Sequence, residues 1–418
     1  MKNVSKIVIS FLLVLTVVLS AVYVPVSSYE NDVETSTADM LLVNLDTDTV
    51  VYSKKPNNKW YSGSLAVLMT YLLAYENIKD PDTVTFEVEK AFIDELPDSD
   101  GCLDDFEGET LTAKDLMAIT LLTSGSDSAY ALAYLVNGSD LDGFVDMMNT
   151  RADELGCKDT HYVSPGFSEE SDQNTTCRDV YRLYSAVRDT GLFGKVAQKH
   201  YRISLGGDDD RVVASDASIL NSQSPYYFKY ANDAKFSYSE KTYANLVVTT
   251  TYHNMTYMFV ALLGLNESEK NVYADARKLT TWAYLNLSDR KILNDNEPLA
   301  KVRVESGWGD YNLELYTDDV AYKTLPNDFD DKFLDYKKDA PDKVTLPIKK
   351  GKKIGELAIN YDGAKVDQVN LIVNSDEGLD MLGDSARFGN YVIDGLLGDN
   401  AAGADKSKKS DKGSDSLE

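Results

Sequence analysis

Residues 40–77 read MLLVNLDTDTVVYSKKPNNKWYSGSLAVLMTYLLAYEN, and this stretch decides the fold. Two apolar runs, Met40 to Val43 and Val50 to Tyr52, flank a break rich in Asp, Thr and Asn, which predicts a hairpin of two strands. From Ser64 to Tyr75 the apolar residues recur at helical spacing, and Ser62 or Ser64 is placed to cap that helix. The stretch therefore predicts a strand hairpin followed by a helix that begins at a serine.

The next two hundred or so residues alternate between helical and strand-like patterns. Helices are expected at Ala113 to Leu122 with Thr112 at its start, Asp127 to Val136, Leu141 to Leu155, Arg178 to Arg188 and Asn271 to Leu287. Leu246 to Thr251 and Met255 to Leu263 predict a second hairpin. This order indicates an α+β domain over residues 38–290, whose first and last strands share one antiparallel sheet beside a helical cluster.

After Leu293 the pattern changes to short alternating segments separated by turn residues, which is typical of a small all-β domain over residues 295–375. The expected strands are Leu299 to Val304, Tyr311 to Tyr316, Val320 to Thr324, Leu334 to Lys338, Lys343 to Ile348, Gly355 to Tyr361 and Val366 to Val373. In residues 376–418, Met381 to Leu397 predicts a weak amphipathic helix and the Lys/Ser/Asp/Gly-rich remainder predicts disorder.

The net charge of the 418-residue chain, −26, argues against a nucleic-acid partner, because a polyanion would be repelled. No nucleotide or redox cofactor has a supporting motif. Cys102, Cys157 and Cys177 match no zinc spacing, so no metal site is expected. An odd number leaves at least one thiol unpaired, while a Cys157–Cys177 pair and the oligomeric state remain open from the sequence.

The N-terminus predicts export. Lys2 and Lys6 precede an almost wholly apolar run from Ile7 to Val26, and the small residues Ser27 and Ser28 follow it, so residues 1–28 are expected to be a signal peptide. The alternative is an uncleaved anchor, since the run is long enough to span a bilayer. We expect an extracellular or cell-envelope protein whose membrane association is weak or absent after cleavage.

Ser64 is a candidate nucleophile. A serine acyl-transfer enzyme needs a nucleophile, a base and donors for the oxyanion, and one solution is a Ser-x-x-Lys helix start combined with Ser-x-Asn and Lys-Thr-Gly motifs. Ser64-Leu65-Ala66-Val67 supplies the serine and the helix but has Val67 in place of the lysine. By itself, a serine at this point in a helix is most often only a cap.

The stretch from Leu41 to Leu73 closely resembles the opening of bacterial D-alanyl-D-alanine carboxypeptidases, the low-molecular-weight penicillin-binding serine peptidases. The matching positions are Asp46, Thr49, Tyr52, Asn57 and Met69-Thr70. The resemblance extends over roughly residues 38–375, including Thr160 to Gly166 and the β-rich segment Val344 to Leu357. It implies a penicillin-binding, β-lactamase-like transpeptidase domain and a serine-type D-Ala-D-Ala carboxypeptidase ancestry.

The resemblance also implies the remaining site residues, although each short motif is altered. Ser124-Gly125-Ser126 stands where the family has Ser-Gly-Asn, and Lys235-Phe236-Ser237 stands where it has Lys-Thr-Gly. By this comparison Ser64, Ser124 and Lys235 take the catalytic positions, while Ser126 and Ser237 take substrate-binding positions. Removing a general base forfeits about 10²–10⁴-fold in rate, so these changes predict impaired catalysis.

Three hypotheses follow for the function. The first is a pseudoenzyme of the cell wall that binds peptidoglycan stem peptides, with β-lactams as related possible ligands. The second is an active D-Ala-D-Ala carboxypeptidase with an unusual base, for which Lys235 is the candidate. The third is a non-enzymatic wall interaction protein in which Ser64 is merely a helix cap.

Overall fold

The computed structural model describes residues 29, 32–96, 101–205, 210–264, 270–293, 297–305, 311–317, 322–361 and 363–375. The chain divides into two compact units. Within the described residues, the first comprises residues 29–292, Tyr322–Leu334 and Tyr361–Asp367, and the second comprises residues 293–317, Asp335–Asn360 and residues 368–375. The predicted signal peptide, the helix at Met381 to Leu397 and the polar tail lie outside the described residues.

The strands up to residue 291 are β1 (Asp39–Asn44), β2 (Thr49–Lys54), β3 (Trp60–Tyr61), β4 (Thr85–Glu87), β5 (Thr110–Thr112), β6 (Asn174–Thr175), β7 (His200–Ser204), β8 (Asp210–Ala214), β9 (Ala231–Ser237), β10 (Ala244–Tyr252), β11 (Met255–Gly264) and β12 (Leu287–Lys291). The helices are α1 (Val67–Asn77), α2 (Lys90–Glu95), α3 (Ala113–Leu122), α4 (Asp127–Asn137), α5 (Leu141–Glu154), α6 (Cys177–Arg188), α7 (Phe193–Val196) and α8 (Lys270–Asn286). Single 3₁₀ turns include Gly63–Ala66, immediately before α1.

The first unit is built on an antiparallel sheet with the order β2-β1-β11-β10-β9. β1 pairs with β11, so the first and last long strands of the domain are neighbours, as the sequence predicts. Both predicted hairpins, β1–β2 and β10–β11, are present. Strand β9 forms one edge of the sheet and pairs with β10. The predicted α+β fold is therefore confirmed.

The two faces of this sheet pack against different helices because side chains alternate along each strand. Leu41 and Val43 join a core with α1, α3 and α6, while Met40 and Leu42 join a second core with α8. Apart from the helix predicted from Ser64, the predicted helix bounds agree with the structure to within one or two residues, and α3 begins at a Thr112–Asp115 capping box. The helical cluster thus covers one sheet face and α8 covers the other.

The later strands are β13 (Ala300–Glu305), β14 (Tyr311–Thr317), β15 (Tyr322–Pro326), β16 (Leu334–Asp339), β17 (Lys343–Thr345), β18 (Lys353–Tyr361) and β19 (Ala364–Ile372). Six of them form a sheet with the order β16-β18-β19-β14-β13-β17, in which β13 and β17 are parallel. β15 instead pairs with β12. The all-β character predicted after Leu293 is confirmed.

Several elements differ from the sequence prediction, among them the short strands β3 to β6, strand β12 and the short helices α2 and α7, which were not predicted. Strand β9 and the β7–β8 hairpin were not predicted. The first turn of the predicted helix at Ser64 is a 3₁₀ turn, and the α-helix begins at Val67. Among the residues that the structure describes, we find no helix with both the length and the apolar character needed to cross a bilayer.

Candidate functional site

Ser64 lies at the junction between the 3₁₀ turn and α1. Ser64 is buried in the interior, with only 3% of its surface exposed. The backbone N–H of Val67 donates to the carbonyl of Ser64, which places the two residues one turn apart on the helix. Val67 is fully buried. The position where a lysine base would stand is thus occupied by an apolar side chain that cannot accept a proton.

The hydroxyl and the backbone amide of Ser64 both have partners. The Oγ hydroxyl donates to the carbonyl oxygen of Ser124 at 3.0 Å, and the backbone N–H donates to Oγ of Ser237 at 2.8 Å. A peptide carbonyl is a hydrogen-bond acceptor but not a general base at neutral pH. The hydrogen bonds found within the described part of the chain therefore give Ser64 no proton-accepting partner.

Ser124 follows the C-terminus of α3 and connects it to the edge strand. Its Oγ hydroxyl donates to the carbonyl oxygen of Phe236 at 3.1 Å. Phe236 itself points to the other face of the sheet, where its ring lies 5.2 Å from that of Tyr273 on α8. Ser124, which follows α3, is therefore joined directly to strand β9. Phe236, the middle residue of Lys235-Phe236-Ser237, packs into the core on the opposite face of the sheet.

Lys235 is a buried cation on β9 with only 1% of its surface exposed. Its Nζ donates to the carbonyl oxygen of Thr120 at 2.9 Å and to that of Thr123. Burial lowers the pKa of Lys235 to about 8, and the nearby Asp216 carboxylate partly counteracts this shift. The α3 carbonyls that hold the ammonium are those left free at a helix C-terminus, where a cation is favoured.

Ser126 serves a neighbouring loop. It is buried, and its Oγ accepts a hydrogen bond from the N–H of Phe167 at 2.7 Å. A Cβ at Gly166 would lie 2.5 Å from Cβ of Ser126, so only glycine fits there without a shift. Ser126 thus positions the loop before Phe167, and its role towards substrate stays a prediction.

Gln173 is a buried residue beside the site that the sequence pattern does not predict. Its side-chain oxygen accepts from the N–H groups of Val163 and Ser164, and its Nε2 donates to the carbonyl of Gly166 at 2.7 Å. Its own carbonyl accepts from the N–H of Ser62. One side chain therefore holds the 163–166 loop while its backbone anchors the turn before Ser64.

The structure brings Ser64, Ser124, Lys235 and Ser237 together around the start of α1, the end of α3 and the edge strand β9. The three cysteines are free, so the Cys157–Cys177 pairing left open by the sequence is not formed. Within the described residues, no group of three or more His, Cys, Asp or Glu side chains is placed to hold a metal ion. The arrangement places the Ser64 hydroxyl on a backbone carbonyl and the Lys235 ammonium on the carbonyls at the end of α3.

Two family models match the chain. A model described as D-alanyl-D-alanine carboxypeptidase matches residues 26–266, which include every site residue named above. A model described as the C-terminal domain of penicillin-binding protein 5 matches residues 287–378.

Among curated proteins, the chain is 26% identical over 334 residues to D-alanyl-D-alanine carboxypeptidase DacF of Bacillus subtilis, covering 77% of this chain and 81% of that protein. It is 24% identical over 358 residues to D-alanyl-D-alanine carboxypeptidase DacA of Haemophilus influenzae, covering 81% and 84%. Among solved structures, penicillin-binding protein 5 of Haemophilus influenzae shares the fold with a TM-score of 0.67 at 19% identity, covering 84% of this chain and all of that one.

Proposed function

The chain belongs to the D-alanyl-D-alanine carboxypeptidase family, and from that premise we propose that this protein binds peptidoglycan stem peptides without hydrolysing them. The ligand is a peptide ending in D-Ala-D-Ala, which is the substrate class that the family name carries. The proposed place of action is the cell wall, outside the membrane, because the N-terminal sequence predicts export.

One observation carries the proposal: the polar groups of the site are hydrogen-bonded to one another, and the Ser64 hydroxyl donates to a backbone carbonyl rather than to a base. The Ser64 hydroxyl donates to the backbone carbonyl of Ser124, and the Ser124 hydroxyl donates to the backbone carbonyl of Phe236. The Lys235 ammonium donates to the carbonyls of Thr120 and Thr123. A nucleophile without a positioned base loses about 10²–10⁴-fold in rate, so turnover is not the activity that this geometry favours.

A stem-peptide analogue tests this function directly. The full chain and a Ser64→Ala variant are incubated with diacetyl-L-lysyl-D-alanyl-D-alanine, and released D-alanine is measured alongside binding by calorimetry. We expect both proteins to bind the peptide with similar affinity and neither to release D-alanine. Release by the wild-type chain that the Ser64→Ala variant lacks would contradict the proposal, and so would the absence of binding by both.

A second candidate function, a carboxypeptidase that uses Lys235 as its base, has one supporting observation. The pKa of Lys235 is lowered to about 8, so its amine loses its proton under mildly alkaline conditions. This candidate requires D-alanine release that rises with pH through about 8 and disappears in Lys235→Met. The geometry argues against this candidate, because the two hydrogen bonds of Lys235 Nζ described above go to backbone carbonyls at the C-terminal end of α3.

A further inference from the structure

The contact between Ser64 and Ser237 joins two elements that are 173 residues apart in the chain. Ser237 is the last residue of edge strand β9 and is fully buried. Its Oγ accepts a hydrogen bond from the backbone N–H of Ser64 at 2.8 Å. A side chain of the third motif thus contacts the amide of the nucleophile position itself.

This contact supplies the cap that the nucleophile helix lacks locally. The first N–H groups of a helix have no partner within the helix and are commonly satisfied by a side-chain oxygen. Ser62 stands at the N-cap position but makes no side-chain cap hydrogen bond. Its hydroxyl is buried and has no partner among the described residues. Ser237 therefore caps the turn from a distant strand.

Gly63 makes room for the Ser237 hydroxyl. A Cβ at position 63 would lie 2.3 Å from Oγ of Ser237, closer than real atoms approach each other. Gly63 also has a φ of +52°, in the left-handed region that glycine adopts at low cost. A glycine at 63 and a serine at 237 are therefore sterically matched.

The backbone N–H of Ser64, which donates to Ser237, is the donor with the most direct role in acyl transfer. In serine peptidases the backbone N–H of the nucleophile forms part of the oxyanion hole. The positive end of the helix dipole reinforces attraction for an oxygen at this point. A carbonyl oxygen of a bound peptide and the Ser237 hydroxyl compete for the same donor.

We propose that the Ser237 hydroxyl is an internal substitute for the ligand carbonyl oxygen, which keeps the Ser64 N–H closed to acyl ligands. The inference rests on the proposed function, because it assumes that stem peptides enter this cleft. It adds a second and separate block to catalysis, located on β9 and independent of the missing base on α1.

Two variants at one position test the proposal. Ser237→Ala removes the hydroxyl, and Ser237→Thr keeps it as a matched control. We expect Ser237→Ala to bind diacetyl-L-lysyl-D-alanyl-D-alanine about tenfold more tightly than the wild type, and Ser237→Thr to bind as the wild type does. In the free proteins, hydrogen exchange of the Ser64 amide should become about tenfold faster in Ser237→Ala only.

The proposal is overturned if Ser237→Ala shows neither tighter binding nor faster exchange, or if Ser237→Thr changes as much as Ser237→Ala. Ser237→Gly provides a second hydroxyl-free variant should Ser237→Ala fold poorly, and circular dichroism identifies which variant is folded. D-alanine release by the wild type would instead overturn the proposed function. The exchange measurement uses no ligand, so it separates failure of the contact from failure of the function.

Discussion

At the scale of single residues, the site differs from a working serine peptidase at position 67. Val67 is fully buried one helical turn from Ser64. An unpaired amine at a buried position would cost about 1–3 kcal/mol or more, because it loses hydration without gaining partners. Valine at this point avoids that cost and places no base one helical turn from Ser64.

Replacing Val67 by lysine should therefore not restore the chemistry. We expect Val67→Lys to lower the free energy of unfolding by about 1–3 kcal/mol and to form no covalent adduct with a β-lactam, because Ser237 still occupies the Ser64 N–H. Urea denaturation and intact-mass measurement check the two parts. Val67→Met, similar in length but uncharged, is the control for stability. An adduct on Ser64 in Val67→Lys would show that the base alone was missing.

Lys235 makes stability depend on pH. Its pKa is about 8 in the folded protein, and about 10.4 is usual for an unfolded chain. Between these values the unfolded state binds more protons, so stability rises with pH. From about pH 7 to about pH 9.5, Lys235 should add about 2 kcal/mol to the free energy of unfolding.

Urea denaturation of the wild type and of Lys235→Met across this pH range measures that contribution. Methionine has similar length and no titrating group, so the background from other side chains is shared by the two proteins. We expect the difference in unfolding free energy between them to change by about 2 kcal/mol in the direction that favours the wild type at higher pH. Parallel pH profiles would mean that Lys235 titrates normally.

At the scale of elements, the junction between β3 and α1 depends on strand β9. Gly63→Ala should lower the free energy of unfolding by about 1–2 kcal/mol, since an L-residue is strained at positive φ and its Cβ meets the Ser237 hydroxyl. Ser237→Gly removes that clash, so Gly63→Ala should cost less in its presence. A double-mutant cycle with a coupling of about 0.5–3 kcal/mol is expected for residues in contact. Additive effects would mean that the two positions are independent.

The sequence predicts those helices and strands whose apolar residues lie mainly on the face that is buried in the structure. Helix α3 was predicted with its observed ends, because Thr112 and Asp115 form a capping box and the apolar residues face one core. Strand β9 was missed because its inward face carries Asp233, Lys235 and Ser237, which look like loop residues in sequence although all three are buried. Because this buried face is polar, β9 lacks the alternation of apolar and polar residues from which a strand is predicted.

The contacts of the candidate site residues could not be predicted from the sequence. Resemblance identified Ser64, Ser124 and Lys235, yet the hydrogen bond from Ser64 to Ser237 depends on the docking of β9 against the start of α1. Gln173 was missed for a related reason, since it lies in the polar run Glu169 to Asn174 and only the tertiary structure buries it. Local sequence patterns do not indicate which hydrogen-bond donor pairs with an acceptor that is distant in the chain.

At the scale of the whole molecule, the family fold is retained while the centre of the site has changed. The carboxypeptidase family model matches 26–266, and the sheet and helices hold Ser64, Ser124 and Lys235 in one place. Over the same framework, Val67 removes the base position and Ser237 satisfies the Ser64 amide. These two features are the basis of our proposed interpretation, that the protein binds stem peptides without hydrolysing them.

Covalent reaction with a β-lactam tests this interpretation most directly, because such a ligand requires an activated serine and an open oxyanion hole. The full wild-type chain and Ser64→Ala are incubated with benzylpenicillin and their intact masses are measured. We predict an unchanged mass for both proteins. A wild-type mass increase of one β-lactam, absent in Ser64→Ala, would contradict the account by showing that Ser64 is still a nucleophile.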